Sequence, residues 1–171
     1  MRNWFYEQMA MYAAYHRDGR NQLTHHIGVP MIVFSILVIA STVSVTQFAS
    51  GPLTLAGVLM AALLLFYIIA VPLVGTAAVI IYGTLLHFAE QVGRMGMDTA
   101  VTVFIALFIL GWIIQFTGHY FEGRKPALFD NALQVFMAPS FLVAELLFKL
   151  GVEQDLKAEI DARMGSYLPK D

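Results

Sequence analysis

From Ile27 to Leu86 the chain reads IGVPMIVFSILVIASTVSVTQFASGPLTLAGVLMAALLLFYIIAVPLVGTAAVIIYGTLL, without a single Asp, Glu, Lys or Arg. A helix that crosses a bilayer needs about 20 predominantly apolar residues. The stretch is interrupted at Ser50-Gly51-Pro52, a tight uncharged turn, and again at Pro72 and Gly75. It therefore reads as a first span over 27–48, with Pro30 near its entrance, a second over 53–70 and a third over 73–91. Gly93 to Asp98 is a polar loop, and a fourth span follows over 99–117.

The rest of the composition agrees with an all-α integral membrane bundle. Hydrophobic residues make up 58% of the 171 positions and charged residues only 13%, against about 25% in soluble domains. The absence of cysteine excludes disulfides, zinc-thiolate sites, iron–sulfur clusters and thiol nucleophiles. The formal net charge is −2 and there is no long basic tract, so nucleic acid is not an expected partner. Residues 1–26 hold Glu7, Asp18 and three histidines with no apolar core, which is not a signal peptide. No repeat or linker divides the chain, so 1–171 is read as one domain. A small chain of this kind is expected in a bacterial inner membrane.

Outside the spans the elements are shorter. Residues 1–17 place Trp4, Phe5, Met9, Tyr12 and Ala13 near one helical face, as expected of a helix lying in the membrane interface. Asp18-Gly19 then turns the chain. Residues 132–150 are apolar but carry Gln134, Pro139, Glu145 and Lys149, which reads as a re-entrant or packed helix, or a fifth span. The polar tail over 152–171 is expected to be helical to Met164.

Histidines cluster at the edges of the apolar block. His16, His25 and His26 lie before the first span, and His119 lies after the fourth. Four spans return both strings to one face of the membrane. Arg2, Arg17, Arg20, Arg124 and Lys125 fall on that face and Arg94 on the other, so the positive-inside rule makes it cytoplasmic. His16 and His25 are nine residues apart across a turn and can converge on one ion. His25 and His26 point about 100° apart on a helix, so only one of them faces a given centre. His119 and Glu122 share a face if the fourth helix continues. Three histidines with open positions suit non-haem Fe(II) or catalytic zinc. The alternative is interfacial histidines that cap helices and bind water.

Other polar residues also carry two readings. His87 lies about 20 Å up the third helix, near the opposite rim, where Glu90 is its expected partner. Tyr67 and Tyr82 read as core or belt aromatics. Arg124 and Lys125 are either surface anchors or a carboxylate clamp. Asp130-Asn131 reads as a helix N-cap. Glu145 is costly in an apolar segment unless paired, and Lys149 is its obvious neighbour.

Taken together, Tyr15-His16, Asn21, His25, Gln115-Phe116-Thr117-Gly118-His119, Phe121-Glu122, Arg124-Lys125-Pro126-Ala127-Leu128 and Asp130-Asn131 resemble the family of membrane 2-hydroxy-fatty-acid dioxygenases, which has fungal and bacterial members. The resemblance extends to Ala138-Pro139 and Glu145 and covers nearly the whole chain. It implies an Fe(II) enzyme that uses O2 to shorten a 2-hydroxy fatty acid by one carbon at the membrane. The family's histidines fall on His16, His25 and His119. The resemblance leaves Asn21, Glu122 and His26 around the metal and Arg124 or Lys125 for the substrate carboxylate. His26 stands where the family does not require histidine, and His119 and Glu122 are one residue closer than in the eukaryotic pattern. Two other classes fit the same histidines: a zinc membrane hydrolase with Glu122 as base, and a non-catalytic carrier or bis-histidine haem binder.

Overall fold

The computed structural model describes residues 1–49 and 51–168. Within them the chain is an all-α bundle of seven α-helices with one small hairpin. The helices are α1 (Arg2–Ala14), α2 (Gly19–Ser41), α3 (Leu55–Ala70), α4 (Pro72–Gly93), α5 (Met97–Glu122), α6 (Gln134–Lys149) and α7 (Gln154–Met164). Strands β1 (Ser44–Phe48) and β2 (Gly51–Thr54) form the hairpin between α2 and α3.

The first apolar helix is displaced from its expected place. It begins at Gly19, not Ile27, because the Asp18 carboxylate caps it by accepting from the Arg20 N–H at 2.8 Å. His25, His26 and Pro30 are therefore inside α2. It stops at Ser41, where the β-branched run Thr42, Val43, Val45 and Thr46 favours strand over helix. Residues 44–48, expected to be membrane helix, instead pair with 51–54. The predicted turn there includes Ser50, which lies outside the described residues, as do 169–171 of the tail.

Three helices are long and apolar enough to cross a membrane: α2, α4 and α5. The expected second span is α3, whose 16 residues reach only about 24 Å, short of the usual hydrocarbon core. Thr54 starts it by accepting from the Gly57 N–H at 3.0 Å, and Pro72 opens α4 after an extended Val71. The fourth span continues five residues beyond Thr117, to Glu122. Gly123 ends it in the left-handed conformation, φ 68°, which glycine adopts without strain.

Close packing of α2 on α5 fixes the frame of the molecule. A side chain at Gly111 would meet Ile32 Cγ1 at 2.7 Å and the Gly28 carbonyl at 3.1 Å. Such small residues let membrane helices approach backbone to backbone. Packed on α1, α4 and the α2 side of this pair lies α6, buried continuously from Met137 to Glu145, so 132–150 contains a packed helix. Pro139 breaks its hydrogen-bond ladder, and the hydroxyls of Tyr67 and Tyr82 donate to the carbonyls of Phe136 and Pro139. The two tyrosines are core residues with a structural bond. Between α6 and the C-terminal helical segment the chain bends by 120°.

The apolar face of α1, expected to enter the membrane interface, is covered by protein instead. Phe5, Met9 and Ala10 are fully buried, and Phe5 meets Phe66 and Tyr67 edge-on at 5.7 and 6.4 Å. This docking places the end of α1, and so His16, over the start of α2.

Candidate metal centre

Three elements each deliver one histidine to the same point. His16 follows α1, His25 lies in the second turn of α2, and His119 lies in the last turn of α5. Nitrogen atoms of all three lie within 4.8 Å of one another, and the rings are 4 to 6% exposed for His16 and His119 and 2% for His25. His26, by contrast, turns away. Its Nδ1 donates to the Gln22 carbonyl at 2.9 Å and stands 3.8 Å from Glu145 on α6.

The hydrogen bonds set the ring tautomers. His16 Nδ1–H donates to the Tyr12 carbonyl at 2.6 Å, and His25 Nδ1–H to the Asn21 carbonyl at 2.9 Å. With those protons committed, each neutral ring carries a bare lone pair on Nε2. The two Nε2 atoms are 3.1 Å apart. Two lone pairs at that distance repel unless a cation lies between them or near both. A proton is a poor candidate, since burial, followed by the neighbouring His25, holds the His16 imidazole well below its ordinary 6.5. His119 adds a buried Nδ1 with no partner among the described residues. Three neutral, converging imidazoles with unspent lone pairs fit a divalent transition metal.

A further set of hydrogen bonds holds the three histidines in place. Glu122, one turn beyond His119, accepts from the backbone N–H of Arg17 at 3.0 and 3.1 Å, of Asp18 at 2.9 Å and from the Asn21 amide at 3.0 Å. The Asn21 amide also donates to the Tyr15 carbonyl at 3.2 Å. These bonds tie the His16 loop to both α2 and α5. Tyr12 stacks on His16 with ring centres 3.9 Å apart.

Arg124 and Lys125 are committed elsewhere. The Arg124 guanidinium donates to the carbonyls of Ala14 at 3.1 Å and Tyr167 at 3.0 Å, and lies 3.2 Å over the Tyr15 ring. Lys125 pairs with Asp130 at 2.5 Å, and Asp130 also accepts from the Tyr15 hydroxyl at 2.6 Å. Neither Asp130 nor Asn131 caps α6, whose N-cap is Leu133; Asn131 Oδ1 accepts from the Leu133 N–H at 3.0 Å in the turn before it. His87 lies outside the cluster and bonds Gln91 at 2.7 Å, while Glu90 takes the Thr54 hydroxyl at 3.0 Å. Glu145 has His26 at 3.8 Å, and among the described residues it makes no ion pair with Lys149.

The histidines open into a cavity of about 90 Å³, walled also by Tyr12, Trp112, Gln115 and Gln134. Sequence reading missed these wall residues. Gln115 was recoverable, standing one helical turn before His119, whereas Tyr12 looked like any apolar-face aromatic.

The family model described as 2-hydroxy-palmitic acid dioxygenase Mpo1-like matches residues 2–150. The 2-hydroxy-palmitic acid dioxygenase MPO1 of Saccharomyces cerevisiae is 36% identical over 156 residues, covering 90% of this chain and 86% of the yeast protein. No solved structure matches.

Proposed function

The chain belongs to the 2-hydroxy-palmitic acid dioxygenase Mpo1-like family, and from that premise we propose that it is a membrane dioxygenase for 2-hydroxy fatty acids. In this reading the acid loses C1 as carbon dioxide and becomes the acid one carbon shorter. The balance closes without an added reductant: 2-hydroxy acid and O2 give shortened acid, carbon dioxide and water. His16, His25 and His119 would hold Fe(II). When bound, Fe(II) with three protein ligands supplies open positions, redox chemistry with O2 and a Lewis-acidic anchor for the two oxygens of an α-hydroxy acid.

The observation that carries this reading is the 3.1 Å approach of two Nε2 atoms whose rings have already spent their protons on carbonyls. The Tyr12 and Asn21 carbonyls keep the ligating nitrogens deprotonated and aimed. Glu122 keeps the His16 loop against α5. The apolar cavity wall excludes bulk water from the reacting carbons.

The two rivals fit less well. A hydrolytic zinc site needs a base with a free carboxylate oxygen, and Glu122 spends both oxygens on three neighbouring groups. A bis-histidine haem needs its two axial nitrogens on opposite faces of a macrocycle, which a 3.1 Å separation forbids.

Metal analysis of the purified protein and oxygen uptake with 2-hydroxyhexadecanoic acid test the proposal. Bound iron and uptake that requires the hydroxyl are expected, with both lost in His16→Ala, His25→Ala and His119→Ala. Zinc in place of iron, or equal uptake with hexadecanoic acid, would overturn it.

A further inference from the structure

The histidine cavity is too small for its proposed substrate. Its volume of about 90 Å³ is well below that of pockets that hold extended small molecules, enough for a carboxylate and a hydroxyl but not for a long alkyl chain. A second, larger cavity of about 510 Å³ lies next to it, within the range of pockets that hold extended small molecules. Val33, Ile36 and Val135 line both, so the two volumes share a wall and meet along it.

Together the two cavities follow one face of α2 as a single groove. His25, Val29, Ile32, Ile36 and Ala40 recur at helical spacing on one face of that helix, and each lines one cavity or the other. From His25 to Ala40 the face runs about 22 Å. One leaflet of a bilayer is about 15 Å of hydrocarbon, so the groove is longer than a lipid tail in its own leaflet. In the larger cavity the other walls come from α3 and α6, with Trp4 of α1 among them, and every lining residue is apolar.

We propose that this groove holds the alkyl tail of the acid whose carboxylate and hydroxyl sit at the histidines, and that Leu59, Ala62 and Phe66 of α3, with Trp4, set the chain length accepted. The proposal rests on the dioxygenase reading for the identity of the head group, and on the continuity of the two cavities for the path of the tail. The occupant is one acyl chain in a fixed direction: carboxyl end beside Trp112, which lines the histidine cavity, and tail toward Trp4, which lines the groove.

Those two residues are the only tryptophans in the sequence, which makes the direction measurable. Trp112→Phe leaves Trp4 as the sole reporter, and Trp4→Phe leaves Trp112. Stearic acid carrying a nitroxide near its methyl end should quench Trp4, and the isomer labelled near the carboxyl should quench Trp112. Unlabelled 2-hydroxyhexadecanoic acid should reverse both, and phospholipid should not. Alike quenching of both tryptophans by both labels, or reversal by phospholipid as readily as by the hydroxy acid, would show the groove to be ordinary lipid contact. Quenching of Trp112 by the carboxyl-end label without quenching of Trp4 by the methyl-end label would mean that the tail leaves by another route.

Turnover gives the second measurement. Ala62 is exposed along the groove, so Ala62→Phe fills space without disturbing packed core. Expelling even two methylenes from an apolar site costs about tenfold. The ratio of oxygen uptake with 2-hydroxyhexadecanoic acid to that with 2-hydroxyoctanoic acid should fall at least that much, and an unchanged ratio overturns the chain-length role. Quenching reads the groove without turnover, so wild-type protein that binds end-specifically yet consumes no oxygen would defeat the dioxygenase reading alone.

Discussion

Glu122 shows how much a single side chain contributes here without touching a ligand. Its carboxylate gathers the N–H groups of Arg17, Asp18 and Asn21, and thereby fixes the loop that carries His16. Glu122→Gln exchanges one acceptor oxygen for a donor facing other donors. We expect metal affinity to drop 10–100-fold, as for other outer-shell partners, with a loss of about 1–3 kcal/mol in stability. Chelator competition and melting of the metal-free protein measure the two, and an unaltered affinity would refute the positioning role. Asp130 is a second case. Its hydrogen bond from Lys125, then that from Tyr15, holds its carboxyl below the ordinary 3.8. The folded value is thus lower than the unfolded one, so its contribution is complete above 3.8 and vanishes as pH falls through the folded value. Asp130→Asn should flatten that part of the acid limb in a plot of Tm against pH. A limb as steep as wild type would remove Asp130 from the account.

Helix contacts decide whether the histidines meet. At Gly118, one residue before His119, an added Cβ would fall onto the Thr24 hydroxyl and within 2.5 Å of Asn21 Oδ1. Both neighbours belong to the turn of α2 that carries His25. Gly118→Ala should therefore force α2 away from α5, costing about 1–3 kcal/mol as overpacking does and weakening the metal site. Gly83 on α4 meets nothing within 4 Å, and Gly83→Ala should be neutral or stabilising by about 0.5–1 kcal/mol. Thermal melts of the two variants test this, and equal shifts would mean that the close approach is unimportant. Composition foretold a helix at Gly83 and a span that stops one residue before Gly118. It did not reveal that one glycine faces open space and the other faces Asn21, since the two look alike in a local window.

For the molecule, α2 and α5 bring Arg17, Arg20, Arg124 and Lys125 to the histidine end, while Arg94 precedes α5 at the other. From charge bias of this kind we propose that the histidine end faces the cytoplasm. Because the chain lacks cysteine, single cysteines report sidedness directly. Phe129 near the histidine end and Met95 at the other are 61% and 68% exposed, so both positions are open to reagent. An impermeant maleimide should label Phe129→Cys in inverted vesicles only and Met95→Cys in intact cells only. The reverse pattern would invert the orientation. Arg124 also acts at this scale, joining the ends of α1, α5 and the C-terminal segment through Ala14, Tyr15 and Tyr167. Its basic character was plain in the sequence, and its partners 43 and 110 positions away were not.

The sequence by itself determined the class of the molecule and singled out the histidines that we propose bind metal. Apolarity sums over a local stretch, so sixty uncharged residues define membrane helices whatever they pack against. Histidine has few roles at a bilayer rim, so its placement marked the site. Only the tertiary structure decided that His16, His25 and His119 converge while His26 and His87 do not, and that Glu122 clamps the His16 loop. Those outcomes depend on contacts between residues about a hundred positions apart. Such contacts are set by how closely two backbones approach and where a cap begins a helix, and one missing methyl group at Gly118 or one carboxylate at Asp18 is enough to fix them.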